Sequence, residues 1–540
     1  MCLKFFNFFK SFMSLLIILF FTLFTSQSNI IEPTNEKKST FENINNKLAF
    51  QKQVDEELQA ELNSGNHTFE NPLIILDPYN ESPLTALVIF STQQPSKITV
   101  SINDPYNSTI SDYTHKFEQL SNNHCIPVYA LFPDATNIVT LKQFSENNNL
   151  ISEKNIEIKT EKLPTKLDNL VILTKSYKNT YQDGLNYHLR EIYAFDKNGK
   201  IRWFLSNNYS SDAIYFKDSN NRFILPLYSS NRLGTIFSEM DNLGKIYNLY
   251  YAPFSVHHDI TLLPNGNILA LSTNGETTMD FAFELDTFSG EIVNTMDFKK
   301  ILQRTRFKLG DPDWLHANSI TYDETDDTII LSSNAQSTIA KIKWPEGNIK
   351  WILSSPTEYL PKFQQYLLKP INEDFEYSYN QHDVNILPDY DDNPNTIDIS
   401  VFDNGRQRPI VNKDDKYSRL VHYRINEQDM TIKQIWQYGK ERTNELFSYS
   451  RSSFKLLPNA NRLGLFCITI NFNVSIERLV EVDKNSNLIW DAEIFSKSAT
   501  GNVLGYQVYR LPFYATNEEE HDVTITARNV ISQNILNKNL

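Results

Sequence analysis

Six stretches of the sequence repeat one pattern, and together they decide the fold. They are DKNGKIRWFL (196–205), DNLGKIYNLYY (241–251), DTFSGEIVNTMDF (286–298), WPEGNIKWIL (344–353), NEQDMTIKQIWQY (426–438) and DKNSNLIWDAEI (483–494). In each stretch one strand ends, the chain turns on Gly, Asn or Asp, and a second strand begins with aromatic or apolar residues. The repeats lie roughly 45 to 80 residues apart, which leaves room for four short strands in each. The pattern predicts an all-β protein with a six-bladed β-propeller over residues 166–540.

Two segments precede the propeller. Residues 71–165 contain short β-rich runs separated by turn residues, a pattern typical of a small antiparallel β-sandwich. Residues 29–70 are polar with a brief helical periodicity, and we interpret them as a linker with one short helix. The sequence therefore predicts a propeller with a separate N-terminal β-domain.

The first 28 residues have the composition of an export signal. Lys4 and Lys10 precede an apolar run from about Phe12 to Leu23, after which small polar residues follow. An uncleaved membrane anchor is the alternative, because no small-x-small cleavage site is present, although the apolar run is short for a membrane span. We expect a cleaved signal peptide and a periplasmic protein.

The overall charge and the cysteines exclude two classes of function. With 65 acidic and 51 basic residues the formal net charge is -14, which provides no phosphate-neutralising surface, so we expect no nucleic-acid partner. Cys2 lies in the leader, and Cys125 and Cys467 are far apart in sequence. The chain therefore has neither a disulfide framework nor a paired-cysteine metal site.

Three histidines recur at the start of predicted inner strands. The stretches HDITLLPN, HANSITYD and HDVNILPD align without gaps at His258, His316 and His382, and Ser452 takes the same place in a fourth blade. Inner strands line the central channel of a propeller, so these side chains are expected to converge. Imidazole can act as nucleophile, base or acid near neutral pH. Histidines that only hydrogen-bond a strand, or that bind a metal with Asp259 and Asp383 in support, are the alternatives.

Seven longer motifs make the sequence similar to the bacterial arylsulfate sulfotransferases. They are PLTALVIFST (83–92), IPVYALFPDATNIVTL (126–141), HHDITLLPNGNIL (257–269), DWLHANS (313–319), QHDVNILPD with VFDNG (381–405), YSRLVHYRINEQDMTIKQIWQYGKER (417–442) and YQVYRLPFY (506–514). The resemblance implies a six-bladed propeller enzyme, commonly a homodimer. It would move a sulfuryl group from a phenolic sulfate to a phenol by a ping-pong mechanism, with no nucleotide donor, metal or other cofactor.

The resemblance also implies roles for particular residues. His382 would be the nucleophile that becomes a sulfohistidine. His258, His316 and Asn318 would serve as acid–base and oxyanion-binding groups, with Ser452 beside the substrate. The Asn-Gly of VFDNG, by contrast, is interpreted from its residues as an ordinary hairpin turn.

One departure from the family pattern concerns the sulfuryl oxygens. Asn334 stands where members of the family usually carry an Arg that binds these oxygens, and an amide can donate hydrogen bonds but supplies no charge. The close Cys pair of some members is also missing. A propeller that binds sulfated or phenolic ligands without turnover is therefore an alternative, as is a quinone-dependent dehydrogenase, which six repeats and the lack of an adjacent Cys pair disfavour.

Overall fold

The computed structural model describes residues 36–530 apart from short gaps. The gaps are residues 106, 207–208, 210, 212, 218–221, 231–233, 274–277, 303–310, 358, 410–415, 472–473 and 498–504. The predicted signal peptide, residues 1–28, lies outside the described residues. Among the helices that the structure describes, none is long and apolar enough to span a membrane.

The first described element is a helix, α1 (Glu36–Ser64), which at 29 residues is longer than the short helix predicted there. Its sequence is dense in Glu, Lys, Gln, Leu and Ala, and it contains neither Gly nor Pro. Straight-chain side chains lose little freedom in a helix, so the summed propensity of the segment favours one long helix. The prediction from apolar periodicity was too short because that periodicity is weak in this helix.

The N-terminal domain consists of five antiparallel strands joined through the longest pair. The strands are β1 (Leu73–Leu76), β2 (Ala86–Asp104), β3 (Asn107–Val128), β4 (Thr136–Phe144) and β5 (Leu150–Lys159). One edge of β2 pairs with β3, while its other edge pairs first with β1 and then with β4. Ile98, Val100 and Ile102 are fully buried at alternate positions of β2, as expected for one face of a strand packed in a core.

Six further sheets make up most of the remaining described chain, which begins with the short helix α2 (Thr165–Asp168). Their elements are, in order, β6 (Leu170–Ser176), β7 (Leu185–His188), β8 (Tyr193–Phe195), β9 (Ile201–Phe204), β10 (Tyr215–Lys217), β11 (Arg222–Ser230), β12 (Gly234–Asp241), β13 (Ile246–Ala252), β14 (Val256–Leu262), β15 (Ile268–Ser272), β16 (Phe281–Leu285), β17 (Ile292–Asp297), α3 (Phe298–Leu302), β18 (Ala317–Asp323), β19 (Thr328–Ser333), β20 (Thr338–Lys343), β21 (Ile349–Leu353), a 3-10 helix (Pro361–Tyr366), β22 (Lys369–Pro370), β23 (His382–Ile386), β24 (Thr396–Asp403), β25 (Arg419–Asn426), β26 (Thr431–Tyr438), a second 3-10 helix (Lys440–Leu446), β27 (Ser453–Leu456), β28 (Arg462–Asn471), β29 (Val474–Val482), β30 (Leu488–Ser496), β31 (Val508–Leu511) and β32 (Arg528–Asn529).

The sheets are the blades of a propeller. The innermost strands β10, β14, β18, β23, β27 and β31 contact one another in that order, and Phe216 of β10 packs against Tyr509 of β31 with ring centroids 5.2 Å apart. β31, from the end of the chain, pairs with β7, from the start of the propeller. β6 also pairs with β30 of the preceding blade. These two pairings close the ring and remove exposed sheet edges.

The six sequence repeats are the hairpins between the third and fourth strands of the blades, for example β8–β9 and β29–β30. The Asp that opens a repeat fixes the turn: Asp196 Oδ1 accepts the backbone N–H groups of Asn198 and Lys200 at 2.9 and 3.0 Å. The Trp seven positions later joins two blades, since Trp203 Nε1 donates to the carbonyl of Asn242, in the next repeat, at 2.8 Å. The all-β fold class predicted from these repeats is confirmed, and this hydrogen bonding explains the pattern.

A second set of contacts joins the inner strands around the channel. In each of four consecutive blades, one side chain accepts a hydrogen bond from a backbone N–H of the next inner strand. The acceptor–donor pairs are Asp259 with Ile320 (2.9 Å), Ser319 with Val384 (3.0 Å), Asp383 with Phe454 (2.7 Å) and Ser453 with Val508 (3.2 Å). We call these four bonds the inter-blade latch. They fix the position of each inner strand relative to the next one along the axis of the channel.

The latch corrects the sequence alignment of the histidines. The residues directly before its four acceptors are His258, Asn318, His382 and Ser452, so these four occupy equivalent positions. His316 lies two residues upstream of that position. The gap-free alignment was wrong because it matched the turns that follow β14 and β18 as if they were the same. With Asn318 in the place of His258, Asp323 of β18 takes the place of Leu263 after β14, and the two strands end in different turns.

Candidate active site

Irregular backbone at the top of three inner strands presents the site residues. The pairing of each strand with its neighbour slips between Val256 and Ile260 in β14, between Ala317 and Ser319 in β18, and between His382 and Asn385 in β23. Such bulges bend a strand and re-aim its side chains. Left-handed backbone accompanies them, with φ of 60° at His258, 50° at His316 and 50° at Asp383. Non-glycine residues in this region cost about 1–3 kcal/mol each and cluster at functional sites.

The structure brings the three histidines together. The rings of His258 and His316 are 5.3 Å apart, and the ring of Tyr506 lies 5.4 Å from His258 and 5.8 Å from His382. Tyr506 is fully buried, and its hydroxyl donates to the backbone carbonyl of Asn318. The sequence reasoning missed Tyr506, although it lies in the YQVYRLPFY motif. Its ring connects the two histidines from a part of the chain more than a hundred residues away.

His382 is held in one tautomer. Its Nδ1 lies 2.7 Å from Asn404 Oδ1, and the amide nitrogen of Asn404 donates to the carbonyls of Ser448 and Arg451 at 3.1 and 3.0 Å. Because those two donations fix which end of the amide is oxygen, Nδ1 of His382 must carry the proton. Nε2 is therefore the nitrogen without a proton, and its lone pair accepts the backbone N–H of Arg451 at 3.3 Å. The interpretation of the Asn-Gly in VFDNG as an ordinary hairpin turn was wrong, because β24 ends at Asp403 and β25 begins only at Arg419; Asn404 orients the imidazole instead.

Burial keeps His382 uncharged. Desolvation lowers the pKa of His382 to about 3; the hydrogen bond to Asn404 opposes this shift, and the charges of His316 and Arg406 add to it. The side chain is 2% exposed. At neutral pH the ring is thus a neutral imidazole with an available nitrogen, which is the form that can act as a nucleophile.

His316 is held differently. Its Nδ1 lies 2.8 Å from Asp313 Oδ2, and its side chain is 28% exposed. A carboxylate on Nδ1 holds a proton on that nitrogen and leaves Nε2 as the atom that gives or takes a proton. Asp313 was not recognised from the sequence. The signal was present in DWLHANS, where the two residues are three positions apart.

His258 lies between the other two histidines with its hydrogen-bonding capacity unused by the described residues. Both ring nitrogens are buried, and within the described part of the chain neither has a hydrogen-bond partner. Burial lowers the pKa of His258 well below its usual value, and the charges of His257, His316, His382 and Arg451 add to the effect. Buried polar atoms are rarely left unpaired in folded proteins. The ring is therefore available to a bound ligand.

The three predicted substrate-binding residues all make structural contacts. Asn318 donates to the carbonyl of Gln381 at 2.8 Å, which holds the residue directly before His382. Ser452 Oγ accepts the backbone N–H of Cys467 at 3.0 Å.

Asn334 is the most constrained of the three. Its Nδ2 donates to the carbonyl of Asn380 at 3.1 Å, and Asn380 Nδ2 donates back to the carbonyl of Asn334 at 3.0 Å. Its own backbone N–H donates to the carbonyl of His316 at 3.1 Å. Asn334 therefore links the segments that carry His316 and His382. Binding of substrate by this residue stays a prediction.

The described residues contain no group of three or more His, Cys, Asp or Glu side chains arranged to hold a metal ion. Asp403 and Arg408, which lie on either side of Asn404 in the sequence, form a buried ion pair, and Arg419 Nε also contacts Asp403 at 2.8 Å. Their role is to hold β24 and β25 in place behind Asn404.

Comparison with known proteins agrees with this geometry. The model of the arylsulfotransferase (ASST) family matches residues 156–507, and the model of the arylsulfotransferase Ig-like domain matches residues 73–161. The arylsulfate sulfotransferase AssT of Escherichia coli O6:H1 is 24% identical over 76% of this chain and 88% of its own. The AssT of Lelliottia amnigena is 23% identical over the same shares. Because the first model covers more than half of the sequence, the chain is an enzyme of the arylsulfotransferase family.

Proposed function

We propose that the protein transfers a sulfuryl group from an aryl sulfate to a phenol in two steps, through a sulfohistidine at His382. The observation that carries the proposal is the fixed tautomer of His382. A buried, neutral imidazole with its proton held on Nδ1 by Asn404 has its nucleophilic lone pair on Nε2. Nε2 lies on the side of the ring where Arg451 begins the turn before β27.

In the first step Nε2 of His382 attacks sulfur, the N–S bond forms and the S–O bond to the aryl group breaks. The departing phenolate takes a proton from Nε2 of His316, whose charged form Asp313 stabilises. The sulfurylated imidazole carries positive charge on its ring, and Asn404 Oδ1 continues to accept the Nδ1 proton. The products are a phenol and a sulfohistidine.

In the second step a phenol acceptor gives its proton to His316 and attacks sulfur, and the N–S bond breaks. His382 returns to the neutral state in which it began. Donor and acceptor are both phenols, so one site between His316 and His382 serves both half-reactions. His258 supplies one N–H of its neutral ring to an oxygen of the sulfuryl group or of the phenol.

Isotope-free labelling tests this function directly. Incubation with 4-nitrophenyl sulfate and no acceptor should leave a sulfuryl group on the peptide that contains His382, detectable by mass spectrometry, and should release one equivalent of nitrophenol. His382→Asn should abolish both signals, because an amide cannot attack sulfur. His67→Asn is the matched control, since His67 pairs with Glu61 on the surface of the N-terminal region. Unlabelled wild-type protein that still binds the aryl sulfate would instead indicate a binding protein.

We also propose export to the periplasm after cleavage of residues 1–28, and pairing of two copies in a homodimer. The leader composition and the family resemblance support these proposals. N-terminal sequencing of the mature protein and sedimentation analysis test them.

A further inference from the structure

The turn before β27 places Arg451 against the reacting atom of His382. The backbone N–H of Arg451 lies 3.3 Å from Nε2. Because Asn404 occupies Nδ1, Nε2 is the ring nitrogen that can accept a new group. A group bonded there lies beside Arg451.

This turn is held in a strained conformation by several bonds. Arg451 and Ser452 both have left-handed backbone, with φ of 62° and 81°. The carbonyl of Arg451 accepts from Asn404 Nδ2 at 3.0 Å, and Ser452 Oγ accepts the N–H of Cys467 at 3.0 Å. Strain of this kind persists only where the surroundings enforce it, and it is typical of pre-organised binding groups.

The charge of Arg451 also reaches the next histidine. Its guanidinium is among the groups that lower the pKa of His258, so the positive charge lies close enough to act on that ring. Arg406 is the arginine whose charge acts on His382. Its guanidinium, however, stacks on the ring of Tyr449, 4.7 Å from the ring centroid.

We infer that the guanidinium of Arg451 binds the oxygens of the sulfuryl group as it passes to and from Nε2 of His382. This role rests on the proposed function. Sulfuryl transfer through a loose transition state places negative charge on the three sulfuryl oxygens, and a guanidinium offers several donors in a plane that matches two of them. His258 and His382 are neutral, so Arg451 supplies permanent positive charge next to the reacting atoms. No bond of Arg451 is made or broken.

Arg451→Gly removes the guanidinium without disturbing the turn. Glycine adopts a positive φ readily and keeps the backbone N–H, so this variant should fold at least as well as the wild type. Arg406→Gly is the matched control, because it removes the neighbouring arginine in the same way. The measurement is the first-order rate of labelling of His382 by 4-nitrophenyl sulfate without acceptor, together with the dissociation constant of the aryl sulfate.

Arg451→Gly should lower the labelling rate by about 100-fold, the effect of losing one transition-state donor, while the dissociation constant changes less. Arg451→Lys should retain part of the rate, and guanidinium ion at non-denaturing concentration should restore part of it to Arg451→Gly. Arg406→Gly should label at nearly the wild-type rate and should not respond to guanidinium.

Two outcomes would overturn the inference. Labelling of Arg451→Gly within about threefold of wild type would remove the guanidinium from the transition state. A loss of labelling rate that neither Arg451→Lys nor added guanidinium ion restores would mean that Arg451 only stabilises the fold of the turn. Absence of label on wild-type His382 is a different result, which would refute the proposed function itself.

Discussion

His258, His316 and His382 are one residue type in one channel, yet each is held differently. An amide oxygen holds Nδ1 of His382, and a carboxylate holds Nδ1 of His316. No described residue hydrogen-bonds either ring nitrogen of His258. Different environments can make one histidine a neutral nucleophile and another a proton donor, although the side chains are identical. In the mechanism that we propose, the partners Asn404 and Asp313 assign these roles.

Asn334 gives a prediction at the residue scale. Replacing it with Arg would remove its side-chain bond to the carbonyl of Asn380 and place a guanidinium at a residue that is 7% exposed. We expect Asn334→Arg to lower the free energy of unfolding by about 3 kcal/mol and to leave His382 labelling unchanged or slower. Thermal unfolding and the labelling assay measure both effects.

Asn334→Ala is the control for this change. It removes the same side-chain bond to the carbonyl of Asn380 without adding charge, so its cost should be closer to about 1–2 kcal/mol. Faster labelling by a stably folded Asn334→Arg protein would show that this position has room for a sulfuryl-binding cation.

The inter-blade latch is the feature to test at the scale of the strand. Its four acceptors differ in charge: Asp383 also binds Lys455 Nζ at 2.6 Å, whereas Ser319 makes a neutral hydrogen bond. Both side chains of the Asp383–Lys455 pair are largely buried, at 2% and 12% exposed. Removing one partner of such a pair leaves an uncompensated charge in the core.

We expect Asp383→Asn to cost about 3 kcal/mol of unfolding free energy. Ser319→Ala, which removes only the neutral bond in the preceding blade, should cost about 1 kcal/mol. Adding Lys455→Met to Asp383→Asn should recover part of the loss, because it removes the unpaired charge. Equal effects of Asp383→Asn and Ser319→Ala in denaturation experiments would show that the ion pair adds nothing to the latch.

At the scale of the whole molecule, ring closure depends on β31 approaching β7. Gly184, just before β7, has φ of 141°, and a Cβ there would meet the carbonyl oxygen of Leu511 at 2.4 Å. Gly266 turns between β14 and β15 with φ of 83°, and the nearest atom to its Cβ would be 4.0 Å away. Both positions require positive φ, but only Gly184 is crowded by the closing strand.

Gly184→Ala should therefore destabilise the protein by about 2 kcal/mol more than Gly266→Ala, whose cost of about 1 kcal/mol comes from the backbone alone. Thermal unfolding compares the two variants. Limited proteolysis should cut Gly184→Ala first in the segment around β7 to β9, which the closure protects. If the two variants unfold at the same temperature, the pairing of β31 with β7 is not a weak point of the ring.

Much of the fold could be predicted because its signals are local. In the first repeat Asp196 binds backbone within four residues and Trp203, seven positions on, meets the neighbouring repeat, and turns of this local kind make the six hairpins visible in the sequence. The length of α1 was less visible, because summed propensity, and not periodicity, determines where that helix ends.

The sequence by itself determined the all-β class, the six repeats and the three histidines, since each depends on side chains that act on nearby backbone. Only the tertiary structure decided which residues share a position around the channel. One bulge and a different turn in the third inner strand put Asn318, not His316, level with His258 and His382. Tyr506 and Arg451 likewise reach the site from distant segments. Their places depend on blade packing and ring closure, and these long-range contacts leave no regular spacing in the chain.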